Sequence, residues 1–163
     1  MPENEDLIWD DGEWVSWEDI SNQIQYKEWR VKYPDADLSL VPIFESLLSI
    51  AEEYHQLTNK HLQVFGDIGE LFGAISLGLK LHRNYAQGSD ARLGNDFVEV
   101  KTITPFKKYD TVEINLAGNF NKLFIVKINR DYEVSSLFVD RKNLPGKGSR
   151  KLRLQWDQLK SMV

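Results

Sequence analysis

The sequence predicts one α/β domain, with helices in its first half, strands in its second and a short helix to close. Three observations predict it. Apolar residues recur at helical spacing from about residue 16 to residue 79. The period then changes to two, through Phe97–Thr104 and Val112, Ile114 and Leu116. The length, 163 residues, is that of a single domain, which we read as an N-terminal extension over residues 1–35 and a core over 36–163.

Each element has a local cause. Ser16-Trp17-Glu18-Asp19 is a helix start, a Ser cap with an acid three residues on, and Ile20, Ile24 and Val31 continue a loose stripe to Tyr33-Pro34. Trp9, Trp14, Trp17 and Trp29 crowd this extension, where they pin it to a core or stack bases. A second helix is expected from about Val41 to Gln63, with a stripe of Phe44, Leu47, Leu48, Ile50, Ala51, Tyr54 and Leu57. Asp67 is placed to cap a third, whose apolar residues are Ile68, Leu71, Phe72, Ile75 and Leu79, with Glu70 beside them. Leu81–Tyr85 is a short strand candidate. Asp90–Leu93, the turn Gly94-Asn95-Asp96 and Phe97–Thr104 read as a hairpin. Leu123–Ile128, nearly all apolar, suits the middle of a sheet, and Val134–Val139 follows as a strand. A basic loop with Pro145, Gly146 and Gly148 then leads to a helix around Trp156–Met162.

Composition narrows the function classes. There is no cysteine, which removes disulfides, thiolate zinc sites and a thiol nucleophile. No apolar run approaches the ~20 residues of a membrane helix. The acidic start, Met1–Asp6, is unlike a secretory signal, so a cytoplasmic location is expected. The net charge of −5 hides a gradient. Residues 1–20 hold eight acids and no base, whereas residues 141–163 hold seven bases against Asp157 alone. That basic end either meets phosphates or neutralises the acidic start.

The richest segment for chemistry is Asp90 followed by Val98-Glu99-Val100-Lys101. Alternation on a strand sends Glu99 and Lys101 to one face and Val98 and Val100 to the core. Asp90, on the preceding strand, comes opposite Glu99 if the hairpin is in register. Two carboxylates beside a lysine suit Mg²⁺, which takes one or two carboxylates and completes its shell with water and phosphate oxygens. Chance alone supplies about one Glu-x-Lys in this composition, so the alternative is a solvated face with a cross-strand ion pair.

Gly66-Asp67-Ile68-Gly69-Glu70, Gly88-Ser89-Asp90-Ala91 and Val98-Glu99-Val100-Lys101-Thr102 together resemble the PD-(D/E)XK nuclease superfamily, over roughly residues 60–140. The resemblance implies a restriction-endonuclease-like central mixed β-sheet flanked by helices, here with an added N-terminal helical segment. It implies Mg²⁺ or Mn²⁺ held by Asp90, Glu99 and the main-chain carbonyl of Val100, with Lys101 at the attacking water. Glu70 falls where many members carry an extra helical acid. Two features depart from the pattern: Ser89 stands where the first motif often has proline, and Thr111–Leu116 reads as a strand where a helix is usual.

The other candidates are single residues. Lys107, Lys108, Lys147, Arg150 and Lys151 are candidate phosphate contacts, and Arg92 is either that or a partner of the acids. His55 and His61 are six apart, which does not align two ligands on a helix. His82 is either a phosphate or proton-transfer group or a plain strand histidine. Gly66, Gly69, Gly73 and Gly78 form no phosphate loop; those within the helix permit close packing. Two readings follow. One is a metal-dependent endonuclease acting on DNA, or on RNA, as a homodimer matched to a two-fold duplex. The other is a catalytically silent nucleic-acid-binding or assembly subunit that keeps the fold.

Overall fold

The computed structural model describes residues 7–10, 12–84, 87–146 and 148–163. A hairpin of β1 (Leu7–Asp10) and β2 (Glu13–Ser16), which the helical expectation did not include, precedes α1 (Trp17–Lys32). The helix begins where Ser16 and Asp19 cap each other reciprocally. Trp29 does pin it, against Tyr33, Phe44 and Phe72 at centroid distances of 5.4, 5.8 and 6.2 Å. Ile24 and Val31 do not enter the core: Val31 is 84% exposed.

Helix α2 (Val41–Thr58) stops five residues before the expected end, because Asn59 takes a left-handed conformation (φ 55°) and closes it. Phe44 and Ala51 are buried, while Ile43, Ile50 and Leu57 stand in solvent at intervals of seven, so the inward stripe is narrower than the sequence suggested. Helix α3 (Phe65–Leu77) runs on from the loop. Asp67 lies in its first turn and makes no cap.

The change of period becomes a five-stranded mixed sheet in the order β3-β4-β5-β7-β8. Its strands are β3 (Lys80–Leu81), β4 (Ala91–Leu93), β5 (Asp96–Ile103), β7 (Lys122–Ile128) and β8 (Val134–Asp140). β5 pairs antiparallel with β4 and parallel with β7, and β8 returns antiparallel. β3 is shorter than the expected strand: the His82 amide still bonds to the Asp90 carbonyl at 2.9 Å, after which the chain leaves the edge.

Between β5 and β7 the chain makes a strand, β6 (Thr111–Asn115), not a helix. It pairs antiparallel with β9 (Lys151–Gln155), a strand lying where a basic loop was expected, and α4 (Trp156–Lys160) follows. The ribbon exists because Leu152 and Leu154 alternate with Lys151, Arg153 and Gln155, matching Val112 and Ile114 across it.

The two faces of the sheet are covered differently. Val98, Val100, Phe124, Val126 and Ile128 meet Phe44, Ile68, Phe72 and Ile75 from the helices. Ile103, Leu123, Ile125 and Val139 meet Val112, Ile114, Leu154, Trp156 and Leu159 from the ribbon and α4. Helix α3 lies close on β5 because Gly69 faces Thr102: a Cβ there would come 2.0 Å from the threonine hydroxyl. No helix among the described residues is long and apolar enough to cross a membrane.

Candidate metal centre and active site

The hairpin register is set by Ala91 opposite Val98, which brings Asp90 level with Glu99. At Asp90 the ladder ends. Its amide still bonds to the Val98 carbonyl (3.0 Å), while its carboxylate Oδ2 accepts from the Val100 amide at 2.7 Å. The carboxylate thus takes the place of a missing strand along the β5 edge. In a ladder a residue's N–H and C=O point the same way, so the Val100 carbonyl is aimed at that same edge.

Glu99 and Lys101 share the ribbon-side face of β5, and their ion pair spans 2.9 Å with side chains 17% and 33% exposed. Glu70 reaches the same edge from α3. Burial first, then the charges of Asp90, Asp67 and Glu99, push its pKa up from 4.5 to about 7. The charges of Asp90, Asp67 and Glu99 all act on Glu70, and Lys101 is tied to Glu99. A cavity of about 290 Å³ is lined by Asp67, Glu70, His82, Arg83, Ser89 and Asp90, with Glu99 and Lys101 outside its lining.

The donor set fits a hard divalent cation. Among the described residues no three histidine, aspartate and glutamate side chains close into a ready cage. Mg²⁺ does not require one, since one or two carboxylates, a carbonyl and water suffice. Asp90, Glu99 and the Val100 carbonyl are groups of that kind, and Glu70, raised first by burial and then by the neighbouring acids, lies close by.

Not every expected contact is at this edge. Arg92 turns away, bonding the Gly94 carbonyl at 2.9 Å and lying over the Phe97 ring, so it neither pairs with the acids nor lines the cavity. Lys151 is held by Glu113 at 3.1 Å on the ribbon. Arg150 is exposed at the ribbon's end, and Lys147 lies outside the described residues. Lys107 and Lys108 stand on the loop between β5 and β6, where the Lys107 ammonium bonds the Thr111 carbonyl at 2.9 Å.

Sequence reasoning gave Asp67 a capping role, yet Asp67 and Glu70 are one turn apart and share a helix face, which was the available signal. Arg83, in the same cavity, had no pattern to mark it. His82 is half-buried, and the Ser89 carbonyl 3.1 Å from its Nδ1 requires the proton on that nitrogen. His55 and His61 lie on either side of the end of α2, so helical spacing does not set how close they come. Their rings stack at 4.9 Å beside Phe106, with no third ligand among the described residues.

No family model matches the chain, and no curated protein matches it. What the structure defines is the class, a mixed α/β chain with a five-stranded mixed sheet, together with an acid-rich sheet edge carrying a lysine.

Proposed function

We propose that this chain is a metal-dependent endonuclease that hydrolyses phosphodiester bonds in DNA, with Mg²⁺ or Mn²⁺, on a restriction-endonuclease-like sheet. The observation that carries the reading is the bond of the Asp90 carboxylate along the β5 edge, with Glu70 raised by burial and by the charges of Asp90, Asp67 and Glu99, and Lys101 paired to Glu99. A purely structural sheet edge has no physical need to gather three acids at the cost of raising the pKa of one.

Asp90, Glu99 and the Val100 carbonyl are the groups that would hold the ion, with Glu70 completing or orienting the shell. When bound, the ion supplies positive charge to the phosphate and lowers the pKa of a coordinated water. Lys101, held in place by Glu99, presents an ammonium that steadies the attacking water and offsets charge developing on phosphorus oxygens. In the net reaction water adds to phosphorus, one P–O ester bond breaks, and the departing oxygen takes a proton.

A homodimer in the cytoplasm belongs to the same reading. The exposed Ile43, Ile50 and Leu57 on α2 support it as apolar surface of the kind that marks interfaces. The test is cleavage of plasmid and linear DNA with Mg²⁺ or Mn²⁺, beside EDTA and Glu99→Ala controls. Metal-dependent cutting lost in Glu99→Ala is the expected result. No cutting, together with no metal binding, would overturn the reading in favour of a silent binding or assembly subunit.

A further inference from the structure

A second cavity, of about 510 Å³, lies on the ribbon side of the sheet, between the loop that follows β5 and the outer face of the β6·β9 ribbon. Lys107, Lys108, Tyr109, Thr111, Glu113 and Arg153 line it. Glu113 is the one acid named here, and Lys151 already holds it at 3.1 Å. Arg153 makes no ion pair among the described residues. The Lys107 ammonium is pushed below its ordinary pKa by burial, then by the charges of Arg153 and Lys101. Lys107, Lys108 and Arg153 are thus gathered around a single lining acid, Glu113, which sits opposite Arg153 across the ribbon and is shared with Lys151, and Lys101 links this groove to the acid-rich edge.

The groove is preformed. The Lys107 ammonium bonds the Thr111 carbonyl, the Thr111 amide bonds the Tyr109 carbonyl at 2.8 Å, and the Trp156 amide bonds the Asp110 carbonyl at 2.8 Å. The Asp110 carboxylate is also paired with Lys127. Yet Tyr109, at the centre of this fixed loop, is 64% exposed, with the Lys108 ammonium 5.3 Å from the ring centroid. An aromatic ring held out over a cationic groove is what stacks an unpaired base while its phosphate is neutralised alongside. A base inside a duplex offers no free face for this, and the cavity is of roughly small-ligand size, suited to one or two nucleotides.

We propose that the loop after β5 and the β6·β9 ribbon form a single-strand subsite, in which Arg153 and Lys107 hold a phosphate and Tyr109 stacks a base next to the scissile bond. The inference deepens the nuclease reading and rests on it for the position of that bond. It assigns the substrate as nucleic acid with an unpaired segment beside the cleavage point.

The test uses the full chain in EDTA, so that nothing is cut. Anisotropy of a fluorescein-labelled twelve-residue oligothymidylate is compared with that of a blunt-ended duplex of two separate strands. The oligothymidylate is expected to bind more tightly. Arg153→Ala weakens it about tenfold and lowers the salt slope by about one. Tyr109→Ala weakens it about tenfold at unchanged salt slope, and Tyr109→Phe restores it. Arg153→Lys, checked for an unchanged fold by circular dichroism, retains most of the affinity and guards against a folding artefact. Unchanged affinity in both alanine variants, or tighter binding of the duplex through the same residues, would overturn the subsite. Cleavage by the wild type separates the two ideas: cutting with no effect of Tyr109 or Arg153 sinks only the subsite. Oligothymidylate binding that depends on both, without cutting, sinks only the nuclease.

Discussion

The Glu99–Lys101 and Glu113–Lys151 pairs are the same chemistry on two different supports, at 2.9 and 3.1 Å. The first lies on a strand inside a five-stranded sheet, with α3 packed close by and two further acids nearby. The second lies on a two-stranded ribbon with both side chains more than half exposed. The consequences for neighbouring acids run in opposite directions. Glu70, near the first pair, is pushed up to about pKa 7 by burial and by like charges. Glu113, in the second, is held below its ordinary value, chiefly by its bond and attraction to Lys151. An acid's pKa rises where water is removed and negative charge is brought in, as at Glu70, and falls where a lysine pairs with it in the open, as at Glu113.

Five substitutions sharpen or break that comparison. The largest effect is expected of Glu99→Ala, which should lower metal-dependent DNA cleavage by at least ~100-fold, whereas Glu113→Ala should leave cleavage within about twofold. Equal losses in a cleavage assay would remove the distinction between the two supports. Next is Gly69→Ala on α3. The new Cβ would sit 2.0 Å from the Thr102 hydroxyl, so the helix must move off β5. Urea unfolding should show a loss of ~1–3 kcal/mol despite the better helix propensity of alanine.

Glu70→Gln should act through pH. The native carboxyl keeps a proton that the unfolded chain releases above 4.5, so Glu70 lowers stability progressively from about pH 4.5 to about pH 7 and holds it lowered above that. Thermal or urea unfolding at pH 8 should find the glutamine variant more stable by ~1 kcal/mol, a figure reduced for the partial exposure of the group, with no difference at pH 4. A variant that is less stable at pH 8 would mean that Glu70 has an unrecognised partner. The smallest effect is that of Lys101→Ala on folding, within ~0.5 kcal/mol, because Lys101 serves the site and not the core. A large fall in melting temperature would make it structural.

How much of this was legible depended on distance along the chain. The Gly94-Asn95 turn set the hairpin, so the register that puts Asp90 beside the Val98–Val100 stretch could be read from a dozen residues. Val98 and Val100 entered the core as alternation required. The edge hydrogen bond from the Val100 amide to Asp90 could not be read, because it exists only where β4 stops. The ribbon was half legible. The Val112–Leu116 alternation was plain, but its partner at Lys151–Gln155 follows a Pro- and Gly-containing loop that masked a second run of alternation. Non-local pairing of that kind leaves no short-range signature, and with it went the groove at Arg153. Ile50 and Leu57 failed for the opposite reason. Their helical spacing was real, but a helix shows its period whether or not a neighbour covers that face.

The most direct test of the central claim, that the β5 edge is a divalent-cation site, is titration of Mn²⁺ by calorimetry in buffers of different ionisation enthalpy. The account predicts one or two bound ions, with proton release at pH 6 as Glu70 ionises, little release at pH 8.5, and loss of binding in Asp90→Asn. Binding that survives Asp90→Asn unchanged, or no binding at either pH, would contradict it.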